Sequence, residues 1–364
     1  MRRWIEWWRW CAPLRGACAR NRTFLWMGVV LVGFCTREDL WGVTSLVRAL
    51  GLEAVCYDRL LDFFHSPALN VEVLTRLWAA LGLDAPYYFV ADAYYASRKI
   101  VLPLLRLGHH LVTRVRNNAV GYLPAPVPEH RKRGRPKRYG EKIPLKRLFD
   151  DPEAMQTLES PVYGESGVQL RVWTRDLLWR PVGILVRFVA VLHPTRGRLI
   201  LMTTDLALEP LDVIRLYGYR FKIEVSFKNA LHVVGAFLYH FWMATMTPIP
   251  RKARDQYLHR KTSEYRDAVR RKLGAYHRFI QLGLIAQGIM LALATTVPQL
   301  VWASFGSWLR TIRPGIVPSE AVVAIALRNT LPHFLADSSP APHLAKFIQQ
   351  RLDLDQTQAR RLAA

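Results

Sequence analysis

The chain has 364 residues, 51% of them hydrophobic, and its 51 Lys and Arg against 28 Asp and Glu give a formal net charge of +23. That length can bury a large core and divide into two or three domains. The charge favours a polyanionic partner, nucleic acid first and an acidic membrane second, over a basic surface that is merely well solvated. Four cysteines (Cys11, Cys18, Cys35, Cys56) with no C-x-x-C pair exclude a disulfide framework and a short-spaced zinc site, and a reducing cytosol is the simplest setting.

Residues 1–78 read as helices. Thr36-Arg37-Glu38-Asp39 resembles a capped helix start, and Val43, Leu46, Val47 and Leu50 follow at helical spacing. Tyr57 to Phe64 and Val71 to Leu81 continue the pattern. The tryptophans at 4, 7, 8 and 10 read as apolar packing, with a stacking platform for bases as the alternative. The apolar run Phe24 to Cys35 follows an Arg-rich start, but no small-residue cleavage site follows it, against a signal peptide.

From residue 86 the pattern changes. Tyr87 to Asp92 reads as a strand ending in a carboxylate, Ile100 to Leu107 as a helix, and His110 to Val115 as a second strand. This is a β-α-β unit with Asp92 at the carboxyl end of its first strand, where open α/β sheets place ligands. An aspartate there is equally the cap of the following helix.

Residues 121–165 are rich in Pro, Gly and charge and read as a loop or a small inserted element. They contain Arg131-Lys132-Arg133-Gly134-Arg135-Pro136-Lys137-Arg138, six basic residues in eight. The Arg-Gly-Arg-Pro core resembles an AT-hook, which lays arginines in a narrow minor groove. A localisation-type basic patch and a nonspecific polyanion contact are the alternatives.

Val168 to Thr174, Val182 to Leu192 and Arg198 to Thr204 read as strands, the last two joined by a hairpin turn at Pro194 to Gly197. Leu211 to Met246 reads as one helix, broken near Gly235. On it Tyr217, Arg220, Glu224 and Lys228 are spaced to share a face. An exposed ion-pair ladder from Arg220 to Lys228 explains them as well. The interleaved Ile223, Val225 and Phe227, and the stretch Ala236 to Met246 with only His240 and Thr245 strongly polar, point instead to a helix running into a core, where a glutamate needs a cation or a metal. Residues 251–275 read as a basic helical stretch. Phe279 to Val297 carries no charge, but Gln281, Gln287, Thr295 and Thr296 favour a buried core helix over a membrane span. The expected organisation is a helical region 1–78, core segments 79–120 and 166–246 flanking a basic insertion 121–165, and a helical region 247–364.

Two carboxylates from distant segments suit phosphodiester chemistry. Two divalent ions about 3.5–4 Å apart activate a nucleophilic oxygen and stabilise the leaving one. Hard ions such as Mg²⁺ take carboxylate oxygens, and an adjacent Arg and Tyr can grip a phosphate.

At these residues the chain resembles the DDE-type insertion-sequence transposases with a Tyr-x2-Arg-x3-Glu-x6-Lys signature. The resemblance carries Tyr217, Arg220 and Glu224 onto the signature; its lysine falls at Leu231, with Lys228 one turn earlier as a substitute. It aligns Phe89 to Tyr95 with the second-aspartate strand. It implies an α/β fold: a ribonuclease H-like core with a β-rich insertion before the glutamate, flanked by helical regions. It implies Asp92 and Glu224 as catalytic and metal-binding carboxylates and Mg²⁺ or Mn²⁺ as cofactor. Tyr217, Arg220, Lys228 and the hook Arg131, Lys132, Arg133, Gly134, Arg135 and Pro136 become DNA contacts. The expected partners are transposon ends, target DNA and a second copy on DNA, with no membrane, in a cytoplasmic, nucleoid-associated setting. The family's first aspartate lies on a three-stranded hairpin between the N-terminal helices and the second-aspartate strand. Here Trp78 leads within a few residues to the strand at Tyr87, leaving no room for three strands. The expectation is therefore a partial core, internally deleted and defective in cleavage, with a poorly satisfied sheet edge. The alternative is a non-catalytic protein that occupies transposon ends or inhibits an intact transposase.

Overall fold

The computed structural model describes residues 2–81, 86–127, 134, 136–150, 153–239, 250, 252, 257–306, 312–336 and 339–355. The chain divides into two compact units, residues 83–224 and the two flanking segments 1–82 and 225–364.

The N-terminal segment is helical as expected: α1 (Arg2–Cys11), α2 (Asn21–Thr36), α3 (Gly42–Leu50), α4 (Val55–His65) and α5 (Val71–Ala80). Thr36 does not open a helix. It ends α2, its hydroxyl donating to the Val32 carbonyl, and α3 starts at Gly42. The tryptophans pack: Trp4 and Trp7 are fully buried, and Trp4 stacks on Phe334 at 4.4 Å. The run Phe24 to Cys35 lies within α2 and is buried almost throughout.

The unit 83–224 contains the sheet. Its strands are β1 (Tyr88–Ala91), β2 (His110–Arg114), β3 (Val120–Pro124), β4 (Tyr139–Pro144), β5 (Gln156–Glu159), β6 (Gln169–Trp179), β7 (Ile184–His193) and β8 (Gly197–Thr203), with α6 (Arg98–Arg106) between β1 and β2. Their order is β1-β2-β8-β7-β6-β3-β4, with β5 also on β6. β1 and β2 are parallel and the other pairings antiparallel. The β-α-β unit and the β7–β8 hairpin are as expected. The described part of the Pro- and Gly-rich 121–165 segment carries strands, as a small inserted element would: β3 pairs along β4 and at one position on β6, and β5 along β6. Two apolar layers cover the sheet. Phe89, Val101, Leu111 and Phe188 belong to one, and Val90, Val112, Val189, Val213 and Ile214 to the other.

β1 is the terminal strand, and among the described residues it pairs with β2 alone. An eight-stranded sheet with flanking helices is the mixed α/β architecture of a ribonuclease H-like DDE domain.

The helix expected over 211–246 is segmented. α7 (Pro210–Gly218) passes through a 3₁₀ turn at Tyr219–Phe221 into α8 (Lys222–Asn229), then a π turn at Ala230–Val234, and stops at Gly235 with φ +66°. The unit boundary falls inside α8, between Glu224 and Val225. The chain then continues with α9 (Ser263–Thr296), α10 (Pro298–Phe305), α11 (Glu320–Asn329), α12 (Leu331–Leu335) and α13 (Pro342–Gln349). The basic helix begins at Ser263, capped by the Thr262 hydroxyl, later than expected. By length and composition α9 could cross a membrane. Its residues Phe279, Leu282, Ile285, Ile289, Met290 and Leu293 are fully buried against the other helices of its unit.

Candidate functional site

Asp92 follows β1 at the carboxyl edge of the sheet. Its backbone carbonyl accepts a 2.7 Å hydrogen bond from the hydroxyl of the buried Thr113 on β2. Its carboxylate Oδ1 accepts from the Tyr94 amide at 2.9 Å, capping the 3₁₀ turn Ala93–Tyr95. The local capping role is thus real, and the second carboxylate oxygen is left for other partners.

α7 is delivered to the same edge by an anchored loop. Arg187 on β7 forms a bidentate pair with Asp176 on β6, at 2.9 and 3.0 Å, and donates to the Leu208 carbonyl just before the helix. The hydrogen bond to Asp176 raises the Arg187 pKa. Pro210 opens the helix, where its missing N–H costs nothing. The Tyr88 hydroxyl on β1 donates to Asp205 in the same loop, which pushes the phenol up to about 12.

A cavity of about 670 Å³ opens at this edge. It is lined by Asp92 and Tyr94, by Arg114, Arg116, Asn117 and Asn118 from the end of β2 and the turn after it, and by Tyr217 and Arg220 from α7 and its 3₁₀ extension. Asp92, and Tyr217 and Arg220 more than a hundred residues after it, all singled out from the sequence, therefore line one cavity. A second cavity of about 390 Å³ shares Arg114, Tyr217 and Arg220 and adds Glu165, His193 and Arg196. There Glu165 pairs with Arg196 at 2.6 Å and lies 3.5 Å from His193.

Glu224 does not line either cavity. It sits exposed in the first turn of α8, and among the described residues neither it nor Lys228 makes an ion pair. The segment does enter a core, but only beyond Glu224: Ile223, Val225 and Phe227 are 47%, 49% and 55% exposed, whereas Ala230, Val234 and Ala236 are buried. Arg131, Lys132, Arg133 and Arg135 lie outside the described residues, while Gly134 and Pro136 are exposed. Asp58 and Asp62 are exposed on α4, and Asp84 lies outside the described residues.

Sequence reasoning missed Arg114, Arg116, Asn117 and Asn118. Their signal was available, since Arg-Val-Arg-Asn-Asn directly follows a strand parallel to the one ending at Asp92.

A family model described as DDE superfamily endonuclease matches residues 43–180. The match supports a DDE-type transposase-like domain. It includes β1, Asp92 and β2, and ends before the Tyr217 to Glu224 segment. No curated protein matches the chain.

DDE superfamily nucleases normally use divalent metals. The described side chains do not supply a full set of ligands. Among the described residues no group of three or more His, Cys, Asp or Glu could hold a metal ion. One oxygen of Asp92 is engaged in the cap, and three arginines line the same cavity, a charge that disfavours a dication.

Proposed function

We propose that this chain is a DDE-type DNA transposase in lineage, with the first aspartate and its strands deleted, so that it retains DNA recognition and lacks efficient cleavage. The observation that carries the reading is the cavity at the carboxyl end of β1, where Asp92 lies with Tyr217 and Arg220. The match to a DDE superfamily endonuclease model and the terminal position of β1 support it. In this reading Asp92 and Glu224 are two of three ancestral metal-directed carboxylates, for Mg²⁺ or Mn²⁺. Tyr217, Arg220, Lys228 and the 131–136 hook contact DNA. The setting is the nucleoid, on transposon ends or target DNA, with a second copy bound alongside.

A second reading is a non-catalytic protein that occupies transposon ends or inhibits an intact enzyme. The excess of cationic over acidic groups in the cavity favours it.

Both readings require DNA binding. Its affinity should fall steeply with salt, log K against log salt having a slope near −0.9 for each phosphate contacted. Arg133→Ala with Arg135→Ala should weaken binding and flatten that slope by up to about 1.8. Salt-independent affinity would remove DNA as the partner. Unchanged binding by the double variant would remove the hook from the contact surface.

A further inference from the structure

We infer that the cavity beside Asp92 is an anion site in this chain: Arg114, Arg116 and Arg220 hold phosphates of a DNA strand with no metal ion. This rests on the DNA-binding reading and extends it from the signature residue Arg220 to Arg114 and Arg116, which neither the signature nor the hook contains.

The first argument is electrostatic. Three arginines and one aspartate line a single cavity, and among the described residues none of the three arginines makes an ion pair. In two other cavities of the same unit, arginine and carboxylate do pair, Arg196 with Glu165 and Arg215 with Asp212, each at 2.6 Å. Like charges gathered without partners destabilise the free protein, and an incoming polyanion relieves that repulsion.

The second argument is chemical. The remaining polar lining consists of the Asn117 and Asn118 carboxamides and the Tyr94 and Tyr217 phenols. With the guanidinium forks these form a donor-rich surface, and phosphate oxygens are pure acceptors that Arg can grip in bidentate fashion.

The third argument is rigidity. Arg114 ends β2, paired with Leu201 of β8. Val115 is buried, and its amide donates to the Ile200 carbonyl at 2.9 Å. The next turn closes through Ala119 N–H to the Arg116 carbonyl at 2.9 Å, which presents the two asparagines at its tip. Donors held on a strand end and a closed turn lose little freedom on binding.

The test is fluorescence anisotropy of a labelled short DNA duplex with the full chain in EDTA. Wild type is compared with Arg114→Gln/Arg116→Gln and with Arg2→Gln/Arg9→Gln, which removes the same charge from exposed positions on α1. Wild type should bind without metal. The cavity variant should bind about tenfold or more weaker, with a salt slope reduced by about 1.8, and the α1 control should change far less. Both cavity arginines are exposed, so the melting temperature should not move. If it does, Arg116→Gln alone decides, through a slope loss of about 0.9. Equal behaviour of the cavity variant and the α1 control overturns the inference and leaves the DNA reading intact. Binding that appears only with Mg²⁺ overturns the metal-free assignment. No binding by wild type in either condition defeats the DNA reading itself.

Discussion

Asp92 uses different atoms for different tasks. Its backbone carbonyl is fixed by Thr113, one carboxylate oxygen caps the turn at Tyr94, and the residue lines the arginine cavity. Two substitutions separate these roles. Asparagine caps as well as aspartate does, so Asp92→Asn should keep its melting temperature. It also removes the one negative charge from a cationic cavity, so affinity for DNA should rise or stay the same. Asp92→Ala removes the charge and the cap together and should cost about 1 kcal/mol of stability. Thermal denaturation and anisotropy of the two variants check this. A loss of DNA affinity in Asp92→Asn would mean that the carboxylate supports binding by a route other than charge. The sequence offered both a capping and a functional reading of Asp92, and the capping is borne out. It could not show which atom does which, because that depends on the register that brings Thr113 beside the strand end.

At the scale of elements, local signals were read correctly where neighbours in sequence are also neighbours in space. The β-α-β unit, the β7–β8 hairpin and the helices of the first 78 residues are of that kind. The misreadings fall where tertiary contact decides. Leu211 to Met246 has helical periodicity, yet Gly218 packs on Val162, where a Cβ would stand 3.2 Å from its methyl groups, and the chain turns 3₁₀ at the next residue. The 121–165 stretch, by contrast, reads as a loop or a small inserted element, and its described part does carry strands: β3 pairs along β4 and at one position on β6, and β5 pairs along β6. Gln287, taken from the sequence as a sign that α9 is not a membrane span, has a specific structural task. It is buried, and its amide donates to the Ser226 carbonyl at 2.9 Å and to Glu320 at 3.1 Å, while Asn229 donates to the other Glu320 oxygen at 2.7 Å. These bonds tie α8 and α11 to α9 within the helical unit. Gln287→Leu fits the apolar surroundings but leaves a buried carboxylate short of a donor. It should destabilise the protein by about 1–3 kcal/mol, read as a lower denaturant midpoint. An unchanged midpoint would show that Glu320 has another donor.

At the scale of the whole molecule, the terminal position of β1 bears most directly on activity. The four-residue strand that delivers Asp92 has one neighbour among the described residues, whereas a strand carrying a catalytic carboxylate is best held by ladders on both sides. The apolar side chains of α8 stand half exposed. The lone pairing of β1 is what the proposed loss of strands between α5 and β1 would leave. Metal-assisted phosphodiester cleavage draws several kcal/mol of transition-state stabilisation from precisely held ions, and each 1.36 kcal/mol lost is a tenfold loss in rate. On the proposed reading, in which one of three carboxylates is gone and three arginines line the cavity beside Asp92, this chain should show negligible cleavage of supercoiled plasmid with Mg²⁺ or Mn²⁺, under conditions where it binds the same DNA. Inserting a three-stranded hairpin that carries one aspartate after Trp78 should supply the missing neighbour of β1 and the missing carboxylate together. Cleavage should then appear, and Asp92→Asn or Glu224→Gln in that background should remove it. Robust cleavage by the chain as it stands, lost in Asp92→Asn, would refute the deletion reading and place a third carboxylate on another segment, with Asp58, Asp62 and Asp84 the first to substitute. A hairpin variant that folds and binds DNA but never cleaves would leave the non-catalytic DNA-binding reading as the better account of the chain.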